Sequence, residues 1–112
     1  MEDFREYIAG WIEYGDGCGC WGEISSFLLT HPKVEVLGFV PSEPDESTGA
    51  AILKADGKFY AFTEWQDYTG HGCRCGSTLS DAYDTLEGAW LFGLDEWARR
   101  SLQPQFPTLV NP

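Results

Sequence analysis

Ala51-Ile52-Leu53-Lys54-Ala55-Asp56-Gly57-Lys58-Phe59-Tyr60-Ala61-Phe62-Thr63-Glu64-Trp65 decides the fold. Two apolar runs flank Asp56-Gly57, a dipeptide suited to the positive φ angles of a two-residue hairpin turn. In the second run Phe59, Ala61 and Trp65 share one face while Tyr60 and Phe62 share the other, so both faces of the hairpin need cover. Val34-Glu35-Val36-Leu37-Gly38-Phe39-Val40, rich in β-branched residues, predicts a preceding strand. The polar stretch from Pro41 to Gly49, with Glu43, Asp45 and Glu46, reads as a surface loop.

Helical periodicity surrounds this meander. Phe4, Tyr7, Ile8, Trp11 and Ile12 recur at three- and four-residue steps, predicting an amphipathic helix over about 2–14 with acids in its first turn. Trp21, Ile24, Phe27 and Leu28 predict a shorter helix that ends before His31-Pro32, because a residue preceding proline is pushed out of the helical region. Further on, Ser80 is placed to cap a helix whose apolar stripe is Ala82, Tyr83, Leu86, Ala89 and Trp90, ending at Gly93. Asp95 is placed to cap a final helix from Glu96 to Leu102. The expected architecture is α+β: a small three-stranded antiparallel meander with the N- and C-terminal helices packed on one face, loops or the tail on the other. The expected organisation is one domain over 1–103, followed by a tail over 104–112 in which Pro104, Pro107 and Pro112 favour extended polyproline-like backbone.

Composition suits a folded core. Of 112 residues, 43% are hydrophobic and 15% aromatic, which supplies the bulk that one domain of this size needs. The formal charge of -11 repels phosphate backbones and anionic membrane surfaces, which argues against direct nucleic-acid binding. No apolar run approaches the roughly 20 residues needed to span a bilayer. Met1-Glu2-Asp3-Phe4-Arg5-Glu6 has no basic segment followed by an apolar one, so a cytoplasmic location is expected.

In a reducing compartment clustered cysteines more often bind metal than form structural disulfides. Gly15-Asp16-Gly17-Cys18-Gly19-Cys20 and Gly70-His71-Gly72-Cys73-Arg74-Cys75 share the ending Gly-x-Gly-Cys-x-Cys, and a Trp-x-acid-Tyr segment precedes each. Two local thiolate pairs match the four ligands of a structural tetrahedral zinc, so Cys18, Cys20, Cys73 and Cys75 are the expected ligands. Flanking glycines let the backbone curl and turn N–H groups toward the sulfurs, and Arg74 can offset part of the charge. One residue between the cysteines makes a tighter chelate than the usual two. Disulfides between the segments, an iron–sulfur cluster and free thiols stay open as alternatives, as does His71 in place of one thiolate. His31, ahead of proline, reads as a capping or surface residue.

Chemistry has weaker support in the sequence. Four thiolates fill the zinc shell and leave no position for water. Neither His-Glu-x-x-His nor a deaminase pattern is present, and the glycine segments lack the Gly-Lys-Ser/Thr of a phosphate loop. If three residues alone bound the metal, Asp16, Asp67 or His71 would be candidate bases for a small zinc hydrolase.

From Phe59 to Leu102, Trp65-x-Asp67-Tyr68-Thr69-Gly70 followed by Phe92-Gly93-Leu94 and Ala98-Arg99-x-x-Leu102 resembles a group of short uncharacterised proteins of actinobacteria and their phages. The resemblance covers about two fifths of the chain. It implies a bacterial or phage-encoded origin and a cytosolic setting, and it transfers no catalytic residue. Members of that group often carry a Trp-Asp-Cys-type segment where this chain has His71-Gly72-Cys73-Arg74-Cys75. The expected function is therefore a non-enzymatic protein-interaction module braced by zinc. The alternatives are an acidic phage inhibitor occupying the basic nucleic-acid groove of a host enzyme, and the zinc hydrolase.

Overall fold

The computed structural model describes residues 4–13, 22–43, 48–67 and 74–110. In chain order they form helices α1 (Phe4–Glu13) and α2 (Gly22–Thr30) and strands β1 (Glu35–Val40), β2 (Gly49–Ala55), β3 (Lys58–Asp67) and β4 (Arg74–Leu79). A short helix α3 (Leu86–Gly88), a π-helical turn (Ala89–Gly93), helix α4 (Glu96–Leu102) and a 3-10 turn (Gln103–Gln105) follow. Among the described residues the strands make one antiparallel sheet in the order β1-β2-β3-β4.

The hairpin forms as its turn chemistry dictates. Asp56 and Gly57 have φ of 52° and 77°, and Ala55 pairs with Lys58 across them. Space around Gly57 is open, so alanine there would meet only the backbone penalty of the left-handed region. Gly57→Ala is expected to lower stability by about 1 kcal/mol, read as a shift of the urea midpoint at unchanged slope. An unchanged midpoint would show that the turn relaxes freely.

The α+β class is observed, with two corrections to its details. The sheet has a fourth strand, β4, where Arg74-Cys75-Gly76-Ser77-Thr78-Leu79 shows no strand pattern of its own. Six paired positions with β3, from Phe62↔Leu79 to Asp67↔Arg74, impose the extended form. A Cβ on Gly76 would lie 2.4 Å from the Trp65 indole nitrogen, so the glycine gives that ring room to lie across the strand.

Second, helices cover both faces of the sheet. β2 is central and buried at every position but the partly exposed Lys54, so its alternating side chains feed two cores. Ala51, Leu53 and Ala55 join Phe62 against Phe4, Tyr7 and Ile8 of α1 and Ile24 and Phe27 of α2. Ala50 and Ile52 join Ala61 against Ala89, Trp90, Leu94, Ala98, Leu102 and Phe106 on the opposite face.

The segment after β4 also differs from expectation. Ser80 does not cap a helix: its Oγ accepts from the Ala61 N–H at 2.8 Å, and its own N–H donates to the Ala61 carbonyl. Tyr83 then bridges to Phe59, which holds 80–85 out of helical form. The helix starts at Leu86, with the Thr85 hydroxyl accepting from Gly88 N–H at 3.0 Å. Asp95 caps α4 as its sequence predicts, accepting from Ala98 N–H at 2.8 Å. Beyond α4 the chain makes a 3-10 turn rather than a polyproline segment. The Gln105 side chain pairs with both the N–H and the carbonyl of Phe39 at 2.9 Å, closing the outer edge of β1, and Phe106 is buried over Gly38.

Candidate functional site

Cys18, Cys20 and Cys73, together with His71, lie outside the described residues, and of Cys75 the backbone alone is described, in β4. The elements that bound both cysteine segments are described. Phe4 packs on Phe62 with ring centroids 5.4 Å apart, and Tyr7 donates to Glu64 at 2.8 Å, so α1 runs along β3 in the same direction. Helix α2 runs back the other way. Its Glu23 carboxylate accepts from Leu79 N–H at 2.9 Å, its Phe27 ring packs on Tyr60 at 4.8 Å, and His31 faces Asp56 in the β2–β3 turn. From Tyr7 to Glu13 a helix advances about 9 Å, and from Glu64 to Asp67 a strand advances about 10 Å. The α1–α2 and β3–β4 connections thus leave the described fold at the same end of the sheet.

Just inside that end sits a buried carboxylate that sequence reading missed. Glu64 is 1% exposed. Its Oε1 accepts from Tyr7 O–H at 2.8 Å and Ser42 N–H at 2.7 Å, while Oε2 accepts from the Ser42 hydroxyl at 2.7 Å. The network ties α1 and the segment after β1 to β3. Gly49 is required beside it, since a Cβ there would fall 2.0 Å from Glu64 Oε1. The signal was present in the strand parity: Glu64 follows Tyr60 and Phe62 on a covered face, and an acid there demands polar partners.

At the opposite end, Thr30, His31, Pro32, Lys33, Val34, Ala55 and Asp56 line a shallow cavity of about 180 Å³. His31 Nδ1 lies 3.0 Å from the Phe27 carbonyl, which accepts only, so that nitrogen carries the proton and caps α2. His31 Nε2 faces Asp56 at 3.4 Å. This end carries the capping role that the sequence assigned to His31. Nearby, the exposed Lys58 and Asp84 pair directly. The hydrogen bond first, and the opposite charge second, hold the Asp84 carboxyl below its ordinary range and the Lys58 ammonium above its own.

Among the described residues no group of three His, Cys, Asp or Glu side chains assembles, and the side chains of Cys18, Cys20, Cys73 and Cys75 are not among those described. No described helix is long and apolar enough to cross a membrane. Of the aromatics near the cysteine segments, Trp65 is half-exposed on β3, while Tyr14 and Trp21 lie outside the described residues. No protein-family model matches this chain, and no curated protein or solved structure matches it either.

Proposed function

We propose that the chain is a non-enzymatic protein-interaction module whose fold is braced by a structural zinc ion held by Cys18, Cys20, Cys73 and Cys75. The observation that carries this reading is the common end of the sheet from which the α1–α2 and β3–β4 connections leave, because each connection contains one Gly-x-Gly-Cys-x-Cys segment. Four thiolates from two turns complete a tetrahedral shell and leave no open coordination position, which favours bracing over hydrolysis. Joining the two connections would offset the loop entropy of segments about 55 residues apart. The acidic surface and exposed aromatics supply the interaction role.

Metal content and free thiols, measured together on natively purified chain, test the brace. One zinc per chain is expected, with thiols that react only after chelation. Chelation is expected to lower the melting temperature by on the order of 10 °C, since structural zinc binding is coupled to folding. A chain that carries no metal and presents four reactive thiols or two disulfides would remove the brace.

A further inference from the structure

We propose that the surface carried by the π-helical turn and the first turn of α4, centred on Phe92 and Trp97, docks a cationic amphipathic segment of a partner protein. This deepens the interaction-module reading and rests on it.

The run from Ala89 to Ala98 divides its apolar residues sharply. Ala89, Trp90, Leu94 and Ala98 are buried in the second core, whereas Phe92 is 76% exposed, Trp97 66% and Leu91 40%. Large aromatics left in water beside a well-filled core are what interface hot spots are made of. The backbone beneath them is unusual too. Ala89–Gly93 is π-helical, a rare form frequently found at functional sites, and it turns two consecutive large residues outward. The Arg99 guanidinium donates to the carbonyls of Trp90, Leu91 and Leu94, fixing the turn before any partner arrives.

Charge selects the occupant. Between Arg74 and Arg99 the chain carries Asp81, Asp84, Glu87, Asp95 and Glu96 and no lysine or arginine. Glu87 lies four residues before Leu91, and Asp95 and Glu96 lie between Phe92 and Trp97, all three exposed. Arg99 is directed at the backbone carbonyls. Arg100 pairs with Glu96 at 2.9 Å and stands 5.3 Å from the Trp97 ring centroid, so this indole already holds a cation against its face. Nucleic acids and anionic membranes are repelled by this surface. A second copy brings the same acids and a charge of -11, so self-association is opposed as well. A segment with apolar residues on one face and lysine or arginine beside them meets both features of the patch.

The test uses the full chain, labelled for amide NMR, and a synthetic helical peptide of alternating leucine and lysine faces. A Leu/Glu peptide of the same pattern and a composition-matched scrambled Leu/Lys peptide serve as controls. The expected result is shifts concentrated over 87–97 with the patterned Leu/Lys peptide, weakened by added salt. Phe92→Ser and Trp97→Ser are each expected to lower its affinity by about tenfold or more, with the rest of the amide spectrum unchanged, while Leu29→Ser on the exposed side of α2 leaves it as it was. Equal binding of the Leu/Glu or scrambled peptide overturns the proposal, and so does a salt-insensitive dimer formed through Phe92 and Trp97. Shifts confined to another surface overturn it too, while leaving the module reading in place. The zinc and thiol measurement judges the zinc brace of that reading separately.

Discussion

Glu64→Ala is expected to destabilise the protein by about 3 kcal/mol, because it strips buried hydrogen-bond donors of their shared acceptor. The carboxylate is the meeting point of three donors from two distant segments, and alanine removes both acceptor oxygens at once. Each buried polar group left without its partner costs about 1–3 kcal/mol. Part of the loss can be recovered, because Tyr7 O–H and Ser42 Oγ stand 3.2 Å apart and can bond to each other. Glu64→Gln keeps the shape and one acceptor oxygen, so a smaller loss of about 1–2 kcal/mol is expected. Urea unfolding of the two variants beside the parent gives the order. If alanine cost no more than glutamine, the network would be incidental and α1 would be held by its apolar face alone.

Trp90→Ala is expected to cost about 3–5 kcal/mol, by lost burial and the cavity left behind. Trp90 is 1% exposed, stands 5.5 Å from the Phe106 ring and donates its indole N–H to the Val110 carbonyl at 2.9 Å. It therefore joins the sheet face, the π-helical turn and the C-terminal segment. The Trp90→Phe variant retains an aromatic ring and loses the bond to Val110, for an expected cost of about 1–2 kcal/mol. Limited proteolysis separates the two contributions: both variants should be cut sooner after Phe106 than the parent, and the alanine variant alone should unfold globally at much lower urea. A Trp90→Ala chain within about 1 kcal/mol of the parent would place the second core's stability elsewhere.

Much of this fold is legible locally. The Asp56-Gly57 hairpin rests on two residues that tolerate positive φ, and α2 stops at His31-Pro32 for reasons contained in four residues. The cap of α4 is likewise a contact from Asp95 to Ala98, three positions away. Strand β4 was not legible, because Gly76 and Ser77 have little intrinsic preference for extended backbone and acquire it from β3. Ser80 misled for a related reason: a serine oxygen caps a helix or accepts from a neighbouring strand, and the Ala61 N–H it meets is 19 residues away.

The sequence by itself determined the α+β class, the central hairpin, the apolar faces of α1 and α2 and the acidic balance, since each follows from residues within a turn or two of one another. It also showed two matched cysteine segments. The tertiary structure alone decided that helices cover both faces of the sheet, that a fourth strand pairs with β3, and that Glu64 meets Tyr7 and Ser42 across 57 and 22 residues. It also decided which of the aromatics from Trp90 to Trp97 face water. These outcomes depend on burial and on hydrogen bonds between distant groups, whose free energy exists only once the whole chain has assembled.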